Sequence, residues 1–401
     1  MLTLEEIKKS FLVSLWFIFL TFPLVVIRVN SNENTIDWRW KNMALVGIAS
    51  FILSFFWRDY FRRKKMGQKK VKSEKVKKTS ALRELFEKNK QLRYGAISLI
   101  MFLAVAYPFV LGPYQTNIMI SALIYIVLGL GLNIVVGLAG LLDLGYVAFY
   151  AVGAYFYAIL NTKFGLGFWT VLPLAMVLAG TCGMILGFPV LRLRGDYLAI
   201  VTLGFGEIIR LILENWNEFS GGPSGIAQIA KPAFFVKLNN IESIPYIYYI
   251  MIVMVLITIF VVKRLQDSRM GRAWIALRED EIACQAMGID TTKTKLTAFA
   301  MGASWAGMCG VMLSVKTSYI NPASFTFMES AIILSIVVLG GMGSVTGVIL
   351  GALILSLLPE YLRAFDDYRM LVFGATMVIM MIFRPQGIIS NVRRTYKIIR
   401  N

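Results

Sequence analysis

Long apolar segments separated by short polar stretches organise this chain of 401 residues. A helix needs about 20 residues to cross the hydrocarbon core of a bilayer, with a range of roughly 17–25. Several of the segments are shorter than that, and glycines interrupt them. We therefore expect about eight to eleven true spans, with re-entrant or broken helices among the remaining segments. The twelve segments lie near residues 11–28, 42–57, 95–112, 117–137, 144–160, 168–188, 197–213, 245–262, 296–314, 328–342, 343–358 and 370–383.

Composition supports a polytopic membrane protein and restricts its chemistry. Apolar residues make up 57% of the chain and charged residues 16%, against about 45–50% and 25% in soluble domains. The absence of histidine removes the commonest general base and all imidazole ligands. Cys182, Cys284 and Cys309 form no paired motif, so we predict buried packing positions for them. We therefore expect a non-catalytic chain without a metal or cofactor of its own.

The net charge of +18 is concentrated beside the predicted spans. Residues 58–93 contain 15 Lys and Arg against 4 Asp and Glu, and residues 384–401 contain 5 against none. If the N-terminus is inside and every segment crosses, the inner stretches hold 31 of the 41 Lys and Arg. The positive-inside rule then predicts that both ends are cytoplasmic. The basic stretches are expected to meet membrane lipid and not nucleic acid.

The charge pattern also divides the chain into two parts. Residues 1–93 form an N-terminal appendage with two transmembrane segments and a basic cytoplasmic linker, and residues 94–401 form a more glycine-rich core. In the core, residues 214–244 form the longest external loop. A loop of this length is either a docking surface for an extracytoplasmic partner or a mere connector. Glycines at a spacing of four, as in residues 343–351, predict close helix packing.

The inner loop 263–295 contains the clearest functional pattern. Asp280 suits the N-cap of a short helix, with Glu281 in its first turn, and Gly288 suits the position after its end. A helix of two turns is unstable alone in water, so its apolar side must be buried against a partner or against the body of the protein. An upstream apolar patch around Trp274 has the same character. The residues alone leave two interpretations open: coupling to a cytoplasmic motor, or an ordinary interfacial helix on the membrane.

Ionisable residues within or between spans are candidates for a translocation pathway, because charge is costly in a membrane. Asp143 lies between two spans, beside Gly145 and Tyr146. It is either the N-cap of the following helix or a residue along the pathway. Glu207 and Arg210 are three residues apart and fit a structural ion pair. The candidate pathway residues are Asp143, Gly145, Tyr146 and Glu207.

Four blocks of the sequence resemble a known family. Residues 271–312, GRAWIALREDEIACQAMGIDTTKTKLTAFAMGASWAGMCGVM, resemble the ATPase-coupling loop and following helix of ABC importer permeases, and most closely the branched-chain amino acid permeases of the LivM type. Residues 129–160, 191–226 and 340–355 resemble further blocks in the family's order. The general coupling loop has Glu-Ala-Ala, three residues and Gly, whereas here Glu281 stands one position early. The resemblance therefore assigns a role to the whole helix and no private role to Glu281.

The resemblance implies a fold, a function and partners. It implies an all-α ABC importer permease bundle in the bacterial inner membrane. The chain would form half of the pathway with a second, homologous permease subunit, two ABC ATPase subunits would dock inside, and an extracytoplasmic amino-acid-binding protein would deliver the ligand. Coupling to the ATPases would fall to these residues of the loop: Gly271, Arg272, Arg278, Glu281, Ile282, Ala283, Ala286 and Gly288.

The substrates implied by the resemblance are leucine, isoleucine and valine, with urea, short amides or other amino acids as alternatives. The chain has no G-x-x-x-x-G-K-[ST] motif, so ATP and magnesium are expected on the partner ATPase subunits. An ion-coupled secondary transporter is the competing class of function. The lack of histidine and the scarcity of acidic residues in the apolar segments disfavour it, because such proteins often use these residues as proton relays.

Overall fold

The computed structural model describes residues 90–190, 195–232, 243–361, 369–384 and 387–389, together with short pieces between residues 14 and 54. The predicted segments 11–28 and 42–57 and the basic linker lie largely outside the described residues. The chain forms two compact units, Met1–Phe102 and Leu103–Asn401, and we describe each by itself. The predicted division at residue 93 stays a prediction.

The first unit contains a small hairpin that the apolar pattern did not predict. Strands β1 (Ile27–Asn30) and β2 (Thr35–Trp38) pair antiparallel, with Ile27 opposite Trp38. Each strand has only four residues, which is too short for an alternating pattern to stand out beside an apolar segment. In the same unit, the Ser14 hydroxyl donates to the Gly47 carbonyl at 2.7 Å.

The second unit is built from helices, and each of the ten apolar segments predicted in the core coincides with one of them. Helix α1 begins in the first unit. The helices are α1 (Lys90–Val110), α2 (Pro113–Leu132, continued by a π-helical turn at Asn133–Leu138), α3 (Tyr146–Phe164), α4 (Phe168–Val190), α5 (Asp196–Asn215), α6 (Ser243–Gln266), α7 (Arg269–Glu279), α8 (Glu281–Ala286), α9 (Thr291–Thr317), α10 (Phe327–Gly340), α11 (Val345–Tyr361) and α12 (Arg369–Phe383).

Short elements close the connections between these helices. A single helical turn (Asn217–Ser220) and a 3₁₀ turn (Gly222–Ser224) follow α5. Strand β3 (Ile226–Ala227) then pairs antiparallel with β4 (Tyr319–Ile320), which follows α9. A second 3₁₀ turn (Pro322–Ser324) leads into α10. The loop 214–244, predicted to be either an external docking surface or a connector, is therefore joined near its middle to the end of α9.

Among the described residues, five stretches are long and apolar enough to cross a membrane: Pro113–Leu138, Phe168–Pro189, Ser243–Gln266, Thr291–Thr317 and Pro322–Gly340. Three shorter apolar helices accompany them, at Met101–Val110, Val345–Tyr361 and Gly374–Phe383. The protein is thus an all-α polytopic membrane protein, as the sequence predicts. The 17 residues of α11 extend about 26 Å, less than a hydrocarbon core of about 30 Å, in line with the expected short helices.

Helix α9 is the centre of the second unit and packs against α2, α3 and α4. It is buried on all sides over most of its length. The contact with α3 brings two backbones together: a Cβ atom on Gly153 would lie 2.1 Å from the carbonyl oxygen of Gly307. Gly340 and Gly347 make a similar approach between α10 and α11. Small residues permit such distances in membrane proteins, so the predicted packing role of the glycines is confirmed.

We expect Gly153→Ala to destabilise the protein, because its methyl group would collide with the backbone of Gly307. Overpacking of this kind costs about 1–3 kcal/mol. The measurement is the thermal unfolding midpoint of the purified full-length chain in mild detergent. Gly167→Ala is the matched control, since a Cβ there meets nothing within 4 Å. Equal midpoints for the two variants would show that the contact between α3 and α9 tolerates the methyl group.

Candidate functional site

Helix α8 has the local structure that the sequence predicts. The Asp280 carboxylate accepts hydrogen bonds from the N–H groups of Ile282 and Ala283, at 2.9 and 3.0 Å. Gly288 has a φ of +79°, and its N–H and that of the next residue bond back to carbonyls of the last turn. This is a Schellman ending, which favours glycine at that position. The predicted N-cap and helix end are therefore confirmed.

Helix α7 fixes this segment to the helix bundle. Trp274 is fully buried, and its indole Nε1 donates to the Thr294 carbonyl at 2.9 Å. Arg278 Nη1 donates to the Gly137 carbonyl at 2.5 Å. Trp274 thereby attaches α7 to the start of α9, and Arg278 attaches it to the π-helical turn that ends α2. The hairpin formed by α7 and α8 (residues 269–286, the α7–α8 hairpin) is thus seated on two membrane helices.

An ion pair that sequence reasoning missed attaches α8 as well. Lys295 Nζ lies 2.6 Å from Glu281 Oε1, and the two side chains are 6% and 26% exposed. The residues are 14 positions apart in sequence, so no helical spacing could indicate the pair. Glu281, the residue displaced from its place in the general coupling motif, is thereby engaged within its own chain.

The outer face of α8 has the opposite character. Ile282 and Met287 are 68% and 82% exposed, and Ala283 and Ala286 are exposed beside them. Cys284 is the one buried residue of α8, and the Glu281 side chain also turns inward, to Lys295. Within the part of the chain that the structure describes, the apolar outer face of α8 is uncovered. The sequence predicts that the apolar side of this helix is buried against a partner or against the body of the protein. The body of the protein covers only the inner side of α8.

Asp143 occupies a different site, in the connection between α2 and α3. Its side chain is 1% exposed, and its Oδ1 accepts the Gly145 N–H at 2.9 Å. Among the described residues, Oδ2 has no hydrogen-bond partner. The prediction that Asp143 is the N-cap of the next helix is wrong, because Gly145 occupies the N-cap of α3. Asp143 instead stabilises the turn before the helix, since its carboxylate reaches the N–H two residues ahead.

Asp143 and Gly145 line a small cavity between α3, α4, α5 and α9, with Phe149, Leu186, Gly187, Thr202, Phe205 and Phe299 as further lining residues. Burial in these largely apolar surroundings raises the pKa of the Asp143 carboxyl to about 6, although the hydrogen bond from Gly145 favours the charged form. Among the described residues, no group of three or more Cys, Asp or Glu side chains could hold a metal ion.

The other two pathway candidates lie elsewhere. Tyr146 is fully buried and donates its hydroxyl hydrogen to the Gly302 carbonyl on α9, at 3.1 Å, so it packs in the bundle core. Glu207 pairs with Arg210 at 2.8 Å, as predicted, and Arg210 also pairs with Glu214 at 2.8 Å. Sequence reasoning missed Glu214, although its spacing of four from Arg210 could have indicated it.

Breaking the ion pair between α8 and α9 should have unequal effects from its two ends. Glu281→Gln strands the nearly buried Lys295 ammonium, whereas Lys295→Met leaves a carboxylate that water still reaches. We therefore expect Glu281→Gln to lower the free energy of unfolding by more than Lys295→Met does. Both losses should lie between the values for breaking an exposed ion pair, about 1 kcal/mol, and a buried one, about 3–5 kcal/mol. Thermal unfolding in detergent compares the two variants.

The reversed pair, Glu281→Lys with Lys295→Glu, should recover part of the stability. Lys293→Met is the control, because its pair with Asp290 lies at the surface and should contribute little. Equal losses from both single variants, without recovery in the reversed pair, would contradict a buried ion pair at this position.

Asp143 should make stability depend on pH with a definite sign. Its folded pKa of about 6 exceeds the unfolded value of about 3.9, so the neutral form is favoured in the folded state. Relative to Asp143→Asn, the wild type should lose about 2 kcal/mol of unfolding free energy as the pH rises from 4 to 6. Unfolding midpoints of the two proteins across this range test the prediction.

The Asn side chain keeps an acceptor oxygen for the Gly145 N–H but does not titrate. The unfolding midpoint of Asp143→Asn should therefore lack the pH dependence that the Asp143 carboxyl gives the wild type. Asp267→Asn, which removes an exposed carboxylate, serves as the control for the loss of one acidic group. Parallel profiles for wild type and Asp143→Asn would show that folding does not raise the pKa of the Asp143 carboxyl.

Comparison with known proteins places these features in a family. Residues 114–381 match the family described as "Branched-chain amino acid transport system / permease component". The high-affinity branched-chain amino acid transport system permease protein LivM of Salmonella typhimurium is 48% identical over 320 residues, covering 75% of each chain. LivM of Escherichia coli K12 is 48% identical over the same shares.

A more distant relative is LivH of Escherichia coli K12, a permease protein of the high-affinity branched-chain amino acid transport system. It is 24% identical over 289 residues, covering 66% of this chain and 91% of LivH. No solved structure matches. From the family match and the LivM identities, the chain belongs to the branched-chain amino acid transport permease family.

Proposed function

We propose that this chain is a LivM-type permease subunit of an ATP-driven importer for leucine, isoleucine and valine. The bacterial cytoplasmic membrane would hold it, with both termini inside as the charge distribution predicts. Its identity of 48% with LivM supports the substrate class. The main structural support for the subunit's role is the α7–α8 hairpin, which presents an uncovered apolar face while its other side is held by α2 and α9.

The partners follow from the same proposal. A second, LivH-like permease would complete the pathway, two ABC ATPases would dock on the inner side, and an extracytoplasmic binding protein would deliver the amino acid. ATP and magnesium would bind on the ATPases, which leaves this chain non-catalytic. The exposed side chains Ile282 and Met287 would enter an apolar recess of an ATPase, because covering them removes apolar surface from water.

Coupling of the ATPases to transport then depends on which helices move when α8 is displaced. The contacts of Trp274 with Thr294, of Lys295 with Glu281 and of Arg278 with Gly137 make the hairpin a rigid extension of α9 and α2. A displacement imposed on α8 would therefore move those two helices. Since α9 packs against α3 and α4, the displacement would reach the cavity at Asp143, which we retain as a pathway candidate.

Reconstitution tests this function. The full-length chain is tagged, purified with its co-purifying subunits, placed in proteoliposomes and supplied with the binding protein and internal ATP. We expect a second permease and two nucleotide-binding subunits in the complex, and uptake of radiolabelled leucine that isoleucine and valine inhibit. Inhibition by urea or acetamide, without inhibition by valine, would select the alternative substrates. A chain that purifies alone and transports on an ion gradient would overturn the proposal.

Paired variants test the role of α8 in the same assay. Ala283→Glu puts a charge on the uncovered face, so we expect it to lower leucine uptake and ATPase retention at least tenfold. Thr292→Glu adds the same charge to the same loop but at the first turn of α9, where a helix accepts an acidic residue, and should leave both near wild type. Full activity of Ala283→Glu would show that α8 does not dock the motor.

A further inference from the structure

A cavity of about 460 Å³ lies where α6 gives way to α7, and three arginines line it. The lining includes Phe260, Arg264, Asp267, Ser268, Arg269 and Arg272. The Ser268 side chain caps α7 by accepting the Gly271 N–H at 3.1 Å. The arginines are therefore grouped around a corner whose backbone is held by a helix cap.

The positive charge of this cavity is not neutralised within the described residues. Arg272 donates to the backbone carbonyl of Asp267, at 2.8 Å, and not to its carboxylate. Arg264 and Arg269 form no ion pair with any described residue. The single carboxylate of Asp267 leaves two excess positive charges. Guanidinium groups gathered in this way repel one another unless an anion joins them.

The cavity lies at the end of an apolar, outward-facing stripe. Val253, Ile257 and Phe260 are among the exposed large apolar residues of α6, and Phe260 is 71% exposed. With Arg264, they occupy one face of the helix, because their spacings of four, three and four follow the helical repeat. The stripe lies inside the candidate span Ser243–Gln266, and the arginine lies at its end. One face of α6 is thus apolar within the span and positively charged at the end of the span.

We propose that this cavity binds the headgroup of an anionic phospholipid. The lipid phosphate would accept hydrogen bonds from Arg264, Arg269 and Arg272, since guanidinium groups match phosphate oxygens in pairs. One acyl chain would lie along the stripe of α6. A soluble partner could neutralise the arginines but could not cover side chains that lie within the span. Bound lipid would therefore hold the junction of α6 and α7, and with it the start of the α7–α8 hairpin, at the membrane surface.

The test counts bound lipid, so it is independent of the transported substrate. The full-length protein, with its co-purifying subunits, is placed in nanodiscs of phosphatidylcholine containing a minor fraction of phosphatidylglycerol. Native mass spectrometry then counts the phosphatidylglycerol retained on release. We expect Arg264→Gln and Arg269→Gln to weaken retention about fivefold each, and the double variant about thirtyfold. Both arginines are exposed, so the fold should survive, and the thermal unfolding midpoint checks this.

Lys293→Gln is the control, because it removes a positive charge from the same loop at a residue outside the cavity; it should retain phosphatidylglycerol like the wild type. Equal retention by the wild type and the double variant would overturn the proposal. Displacement of the lipid by glycerol phosphate at equal concentration would overturn it in favour of a free phosphate site. Loss of an ATPase subunit from the double variant, with lipid retention unchanged, would assign the arginines to a protein contact and likewise overturn it.

Discussion

The close approach of backbones around α9 is the constraint on which the rest of the structure depends. Lipid offers little hydrophobic gain for bringing helices together, so packing must supply the attraction. Gly153 and Gly307 let α3 meet α9 at backbone distance, and α2 and α4 complete the surround. Because neighbouring helices enclose α9, it can hold the α7–α8 hairpin in place. Trp274 and Glu281 attach the hairpin to the first turns of α9, through Thr294 and Lys295.

The features that the sequence predicts correctly are local. The apolar segments predict ten of the twelve helices described in the core, all but α7 and α8. The pattern from Asp280 to Gly288 predicts both ends of α8, since capping depends on residues within one turn. Glu207 and Arg210 are found for the same reason. What the pattern does not contain are contacts between distant parts of the chain. Nothing near Lys295 in the sequence indicates Glu281, and nothing near Arg278 indicates the Gly137 carbonyl.

The errors have physical causes as well. Asp143 resembles an N-cap because it precedes an apolar segment, yet the helix begins later and its carboxylate stabilises the turn instead. Adjacency in the sequence groups Tyr146 with Asp143, but one step along a helix turns a side chain by about 100°. Tyr146 therefore points into the core while Gly145 borders the cavity. Neighbouring residues at a helix start need not share a surface.

The architecture depends on how many residues the π-helical turn at the end of α2 contains. A π turn contains one residue more than regular α geometry would use. Loss of one residue there would rotate the following connection by about 100°. The Gly137 carbonyl would leave Arg278, and the Asn133 amide oxygen, which accepts the Gly343 N–H at 2.8 Å, would lose its register with the loop before α11. A relative with a deletion in this turn would therefore need different contacts to hold its α7–α8 hairpin against the helix bundle.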